Sequence, residues 1–147
     1  MRIQPINDSE GTGNKFCGPA VISAIAGITT DEAEKMIQDI RVKNHTRNAL
    51  GRVTGVYAAE IRDVFQKLGW KVYDIHGVSG RSIYFLMTTM STPGVYVFMV
   101  PGHFVAIEIA DDGKRYIVDT YTKSPIKLTV SARLMQKVQA VIKLEKQ

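Results

Sequence analysis

The sequence predicts an α+β fold in which helices come first and an antiparallel sheet follows. Before about residue 68, apolar residues recur at helical spacing. From Trp70 onwards, in "WKVYDI" and later segments, apolar residues alternate or form β-rich runs. Asp111-Asp112-Gly113 separates two of these runs and is a strong hairpin signal, which favours antiparallel pairing of the strands on either side.

Three helices are predicted ahead of the sheet. The first begins near Pro19, because proline is tolerated in the first turn of a helix, and it ends at Gly27. This helix is apolar on nearly every side, so we expect it to lie centrally. Thr29 or Thr30 caps the second helix, whose first turn is acidic, and a third helix covers about residues 57–68.

The predicted sheet is built from one buried run, one hairpin and a C-terminal strand. "GVYVFMV" is the buried run, and "HFVAIEIA" and "KRYIVDTY" form the arms of the hairpin. A short helix near residues 82–90 separates the first two strands. The C-terminal "KVQAVIKL" places four apolar residues on one face at a period of two: Val138, Ala140, Ile142 and Leu144.

Length and composition indicate a single globular domain over residues 1–147, beginning with an ordered or semi-ordered arm at 1–15. Hydrophobic residues make up 45% and charged residues 22%, as in ordinary soluble proteins. No apolar run approaches the roughly 20 residues that a membrane span needs. The N-terminus lacks the apolar segment of a secretory signal, so we expect a cytoplasmic location.

Cys17 is the only cysteine, which excludes an internal disulfide and a thiolate-rich zinc site. A lone cysteine is usually a small buried hydrophobic residue. Cys17, however, lies two residues before Pro19, within about a turn of a helix start. The partial positive charge of a helix N-terminus favours a thiolate, so both a packing role and a nucleophilic role stay open at this point.

A nucleophilic cysteine needs a histidine, and three compete for this role: His45, His76 and His103. His103 is favoured because it opens the strand "HFVAIEIA" directly after the turn "VPG", where a side chain can face a cleft from a rigid strand. Asp119 lies toward the same open end of this hairpin and could orient the imidazole. The alternative interpretation of Asp119 is a residue that initiates a turn before Thr120.

Acyl chemistry also requires a donor for the developing oxyanion. Asn14 precedes Cys17 by three residues, so its amide is the first candidate. Gln4 on the N-terminal arm is a second, and the backbone N–H of Cys17 is a third. The three scattered histidines show no metal-ligand spacing, so no metal or other cofactor is predicted.

Three segments in order resemble the papain-like cysteine peptidases, most closely the C39-type peptidases that process bacteriocin leaders: "CGPAVISAIAG", "GHFVAIEI" and "YIVDTYTKSPIKLT". The resemblance spans most of residues 14–144. It implies a papain-like α+β fold and a peptide or protein substrate. It also implies Cys17 as nucleophile, His103 as general base and acid, and Asp119 as the orienting residue.

Two other functions remain open from the sequence. The same triad could transfer the acyl group to an amine, as in an acyltransferase or a transglutaminase-like enzyme. An inactive papain-like module that binds protein or nucleic acid is suggested by residues 41–55, which are predicted to form a long, basic, acid-free loop. Nucleic acid is the less favoured partner because aromatic residues do not interleave there. The segment carries four cations: Arg41, Lys43, Arg47 and Arg52.

Overall fold

The fold was analysed in a computed structural model that describes residues 2–8, 13–128 and 132–147. Part of the predicted N-terminal arm therefore lies outside the described residues. The helices are α1 (Cys17–Ala26), α2 (Thr30–Lys43), α3 (Ala58–Lys67) and α4 (Ile83–Thr89), with a 3-10 helix at Ala132–Met135. The strands are β1 (Trp70–Asp74), β2 (Gly94–Val100), β3 (His103–Ile109), β4 (Arg115–Val118), β5 (Ile126–Lys127) and β6 (Ala140–Lys146).

Local sequence signals set the ends of the first two helices. Gly27 follows α1 with a φ of 81° and donates its N–H to the Ser23 carbonyl, a C-terminal cap that favours glycine. Thr29 caps α2 through a capping box with Glu32, in which each side chain accepts from the other residue's backbone N–H. Among the described residues, no helix is both long enough and apolar enough to cross a membrane.

The six strands form one antiparallel sheet in the order β1-β6-β2-β3-β4-β5. Strand β2 lies inside this sheet and all seven of its residues are buried, because its two faces meet different layers. Helices α1 to α3 cover one face, where Ile22 and Phe65 pack against strand residues such as Val97. Helix α4 and the 3-10 helix cover the other face, where Ile83 packs with Phe98.

This architecture confirms the predicted α+β fold with helices before an antiparallel sheet. Two local predictions need correction. Helix α2 continues to Lys43 into the segment predicted as a loop, because Arg41 and Lys43 in its last turn favour the helix C-terminus. The final strand begins at Ala140, and Val138 packs on the face opposite to Ile142. The single-domain organisation of residues 1–147 stays a prediction.

Candidate active site

Cys17 is the first residue of α1, and its thiol is free and partly exposed. The N-cap residue Phe16 makes no side-chain capping bond, and the first helical N–H bond back to it comes from Ala20. The N–H groups of the first helical turn therefore point out of the helix beside the sulfur. Their positive partial charge favours the ionised thiol.

His103 is the first residue of β3, in the position predicted from "VPGHF". Val100 pairs with His103 across a tight turn made of Pro101 and Gly102. Pro101 fixes a negative φ, and Gly102 has a φ of 71°, the combination that a type II turn requires. The imidazole is thereby attached to rigid strand backbone, and 17% of its side chain is exposed.

Asp119 is held at the adjacent end of β4. The last β3–β4 pair is Ala106 with Val118, so Asp119 follows directly and lies near the start of β3. Its Oδ1 accepts the backbone N–H groups of Tyr121 at 2.9 Å and Thr122 at 3.0 Å. The side chain is fully buried, and Oδ2 lies 3.5 Å from His103 Nε2.

Asp119 thus combines both roles considered from the sequence. One carboxylate oxygen initiates the 119–123 turn, and the other faces the imidazole. At 3.5 Å the contact with His103 is an ion pair that is longer than an ordinary N–H···O hydrogen bond. Because Nε2 of His103 faces Asp119, Nδ1 is the ring nitrogen left for the thiol.

The electrostatics couple the thiol to the imidazole. Burial alone would raise the pKa of Cys17, but the hydrogen bond with His103, the N–H of Phe104 and the charge of His103 outweigh it, so the pKa is lowered. The pKa of His103 rises to about 9, chiefly through Asp119 and then through Cys17. Both shifts favour a thiolate beside an imidazolium, and the pair titrates as a coupled unit.

Cys17 and His103 share a cleft with a volume of about 280 Å³. Its lining includes the segment from Thr54 to Ala58, called here the cleft wall, and also Met99, Val100 and Gln139. Apart from the catalytic candidates, none of the residues found lining this cleft carries a charge.

Glycine at position 18 allows the cleft wall to touch the start of α1. A Cβ atom added there would lie 2.9 Å from Val56 Cβ and closer still to Val56 Cγ2, which is too close for real atoms. We therefore expect Gly18→Ala to displace the cleft wall and to lower kcat/KM about tenfold for the peptide hydrolysis that the resemblance implies.

The Gly18→Ala effect is tested by removing the clash. The double variant Gly18→Ala/Val56→Ala should recover most of the lost kcat/KM, because the truncated side chain leaves room for the new Cβ. Peptide hydrolysis by the single and double variants measures this. Equal losses in both variants would show that contact with Val56 is not the reason for the glycine.

Neither side-chain candidate for the oxyanion donor fits. Both N–H bonds of the Asn14 amide are already used, one toward the Glu34 carboxylate and one toward the Val53 carbonyl at 2.7 Å. The Gln4 amide lies beside Gly27, at the end of α1 opposite to Cys17. The short sequence separation of Asn14 from Cys17 was therefore misleading. The backbone N–H of Cys17 is the candidate that remains.

The two competing histidines do not line the cleft. His45 is exposed in the turn after α2 with a φ of 56°, and His76 is exposed after β1. Two parts of the site were not predicted from the sequence: the cleft wall, and Tyr121, whose ring centroid lies 5.4 Å from that of His103. Tyr121 lies only two residues after Asp119, but no local pattern assigns its ring to the site. The cleft wall has no local signal because contacts between segments distant in sequence bring it to Cys17.

The arrangement of possible metal-ligating side chains among the described residues does not suggest metal chemistry. Within residues 2–8, 13–128 and 132–147, no group of three or more His, Cys, Asp or Glu side chains could hold a metal ion.

Asp119→Asn should show what the orientation of the His103 imidazole contributes, because the variant keeps the Cys17 thiol. The change removes the largest cause of the raised His103 pKa, and its amide would offer Nε2 a donor in place of an acceptor. We expect kcat/KM to fall about 100-fold. The expected fall of activity at high pH, near pH 9 in the unaltered protein, should move to lower pH because the imidazolium loses its proton earlier.

A pH profile of kcat/KM for both proteins checks this prediction. Asp112→Asn, in the exposed turn between β3 and β4, removes a carboxylate from the same hairpin and serves as the control. An alkaline limb that stays in place in Asp119→Asn would contradict the assigned interaction with His103.

Comparison with known proteins gives similarity in structure only. No family model and no curated protein sequence matches this chain. It is similar to a double glycine motif protease from an AMS/PCAT transporter, solved in complex with the leader peptide, with a TM-score of 0.62 and 12% identity over 99% of this chain and 94% of that chain.

Two further structures are similar over almost their whole length. The peptidase domain of Streptococcus ComA, a bi-functional ABC transporter involved in a quorum sensing pathway, has a TM-score of 0.55 and 15% identity, covering 100% of both chains. The peptidase domain of Streptococcus mutans ComA has a TM-score of 0.52 and 14% identity, covering 98% of each. The chain therefore has the papain-like fold of C39-type peptidase domains, as the resemblance implied.

Proposed function

We propose that this protein is a cysteine peptidase or isopeptidase that cleaves a peptide or protein amide bond. The observation that carries the proposal is the convergence of three groups from separate elements, of which Cys17 and His103 line one cleft and Asp119 is buried beside His103. Cys17 starts α1, His103 starts β3 and interacts with the thiol, and Asp119 faces the imidazole from the end of β4. The shared fold of the peptidase domains supports the same chemistry.

The reaction follows from these positions. The Cys17 thiolate attacks the carbonyl carbon, and the backbone N–H of Cys17 stabilises the oxyanion that forms. The His103 imidazolium gives its proton to the leaving nitrogen as the C–N bond breaks, which leaves a thioester on Cys17. His103 then removes a proton from water as the water oxygen attacks the thioester carbonyl. The C–S bond breaks, Cys17 leaves as the thiolate beside the imidazolium, and the carboxylic acid product is released. Asp119 orients the imidazole and stabilises its charged form.

The proposed substrate is a peptide whose residues near the cleaved bond are uncharged, because the cleft lining is uncharged apart from the catalytic candidates. One similar structure is a double glycine motif protease bound to a leader peptide, which makes a peptide containing Gly-Gly a reasonable first probe. The binding-module alternative loses one of its four cations, because Arg41 is paired with Glu60, with Nε 2.6 Å from Oε2. Lys43, Arg47 and Arg52 are exposed. The cytoplasmic location stays a prediction.

A peptide library that includes Gly-Gly sequences tests the proposal. The unaltered protein should release fragments with new free carboxyl ends, identified by mass spectrometry, and Cys17→Ala should release none. Repeating the reaction with a primary amine distinguishes hydrolysis from acyl transfer, since transfer would add the amine's mass to the fragment. No cleavage and no covalent labelling of Cys17 by electrophilic peptides would contradict the proposal.

A further inference from the structure

Asn14 is buried, with 1% of the residue exposed, and its side chain binds three separate parts of the chain. Its Oδ1 accepts the Phe16 N–H at 2.8 Å, which fixes the residue immediately before Cys17. Its Nδ2 donates to the Val53 carbonyl at 2.7 Å and to the Glu34 carboxylate of α2. A buried amide with all of these groups engaged fixes the geometry of its surroundings.

Glu34 completes the arrangement from the other side. The oxygen that accepts from Asn14, Oε2, also accepts the Val53 N–H at 2.9 Å. Both backbone groups of Val53 are therefore bound by the two side chains. Val53 is fully buried and directly precedes the cleft wall, Thr54–Ala58.

Helix α2 holds the cleft wall at a second point on the same helical face. Arg41 follows Glu34 by seven residues, about two helical turns, and its Nη2 donates to the Gly55 carbonyl at 2.6 Å. The same guanidinium binds Glu60 in the first turn of α3. The cleft wall is thus attached to α2 by Glu34 and Arg41, while Asn14 links this attachment to the start of α1.

We propose that Asn14 and Glu34 form a clamp that sets the separation between Cys17 and the cleft wall, and that both are positioning residues for the peptidase reaction. The proposal rests on the proposed function, because it concerns how a bound peptide meets the thiol. Asn14 acts through Phe16 and Val53 and does not contact the reacting carbonyl. Its role is therefore different from the oxyanion donor predicted from the sequence.

The chemistry of the clamp distinguishes conservative from disruptive changes. Glu34→Gln keeps a side-chain oxygen that can accept both N–H groups, so the clamp should persist. Glu34→Ala removes that acceptor. Asn14→Asp replaces two donors by an oxygen that faces the Glu34 carboxylate and the Val53 carbonyl, so it should open the clamp.

Two electrophiles report on different parts of the site in each purified, folded variant. Iodoacetamide measures the reactivity of the Cys17 thiol alone. A Gly-Gly peptidyl vinyl sulfone also requires the peptide to lie against the cleft wall. The ratio of the two second-order rate constants therefore measures positioning, and it is unaffected by the fraction of inactive protein when rates are normalised to titrated thiol.

We expect this ratio to fall at least about tenfold in Glu34→Ala and Asn14→Asp. It should change less than about threefold in Glu34→Gln and in Asp39→Ala, which removes an exposed carboxylate of α2. An unchanged ratio in Glu34→Ala would overturn the clamp. If Asn14→Asp does not fold, the ratio in Glu34→Ala compared with that in Glu34→Gln still tests the clamp.

Hydrogen exchange separates failure of the clamp from failure of the proposed function. The Val53 amide should exchange faster in Glu34→Ala than in Glu34→Gln, whatever the protein's activity. If unaltered protein reacts with the vinyl sulfone no faster than a free cysteine peptide does, the proposed peptidase function fails. Equal exchange of the Val53 amide in both Glu34 variants would overturn the clamp itself.

Discussion

Cys17→Ala is expected to abolish peptide hydrolysis, lowering kcat by about 10⁴-fold or more. The thiolate is the only group in the proposed mechanism that forms a covalent bond with the substrate, so no neighbouring residue can replace it. Steady-state hydrolysis of the best library peptide measures the loss. The fold should survive, because Cys17 is only partly buried at the first position of α1 and alanine is a good helix former.

Thermal unfolding and circular dichroism provide the control for Cys17→Ala. Both should match the unaltered protein closely, and the variant should still bind substrate peptide. Residual hydrolysis within about tenfold of the unaltered rate would rule out Cys17 as the nucleophile. It would leave the packing role as the correct interpretation of this cysteine.

His103→Ala is expected to produce the second-largest effect, a fall in kcat/KM of about 10³-fold or more. The imidazole both stabilises the thiolate and supplies the proton for the leaving nitrogen, and the variant loses both contributions. Peptide hydrolysis at neutral pH, normalised to folded protein, measures the change. The other two histidines provide matched controls, since His45 and His76 are exposed and do not line the cleft.

His45→Ala and His76→Ala should each retain hydrolysis within about twofold of the unaltered protein, as expected for exposed residues away from the site. A loss in either control that equals the loss in His103→Ala would transfer the acid and base role to that histidine. A His103→Ala protein that remains fully active would contradict the proposed mechanism.

Much of the fold follows from local sequence signals. Helix α1 was predictable from Pro19 and Gly27, and the structure places both in its first turn and at its C-terminal cap. The β3–β4 hairpin follows from Asp111-Asp112-Gly113, which lies between the paired strands. The strand order, with β6 between β1 and β2, was not predictable, because strands distant in sequence pair through packing that no local pattern encodes.

The proposed catalytic residues could be named from the sequence because each stands at the end of an element. Cys17 starts a helix and His103 starts a strand, and pairing of β3 with β4 brings Asp119 to the same end. The surroundings of these residues were harder to predict. The amide of Asn14 turns toward Glu34 and Val53, residues 20 and 39 positions away, so its nearness to Cys17 in sequence suggested the wrong role.

The pairing of the Cys17 thiolate with the His103 imidazolium is the central claim, and the pH dependence of iodoacetamide alkylation tests it most directly. In the unaltered protein, alkylation of Cys17 should already be rapid well below the ordinary pKa of a cysteine thiol. In His103→Ala the pKa of Cys17 should rise, because the hydrogen bond and charge of His103 no longer offset the effect of burial. A thiol that titrates at its ordinary pKa, unchanged by His103→Ala, would contradict the claim.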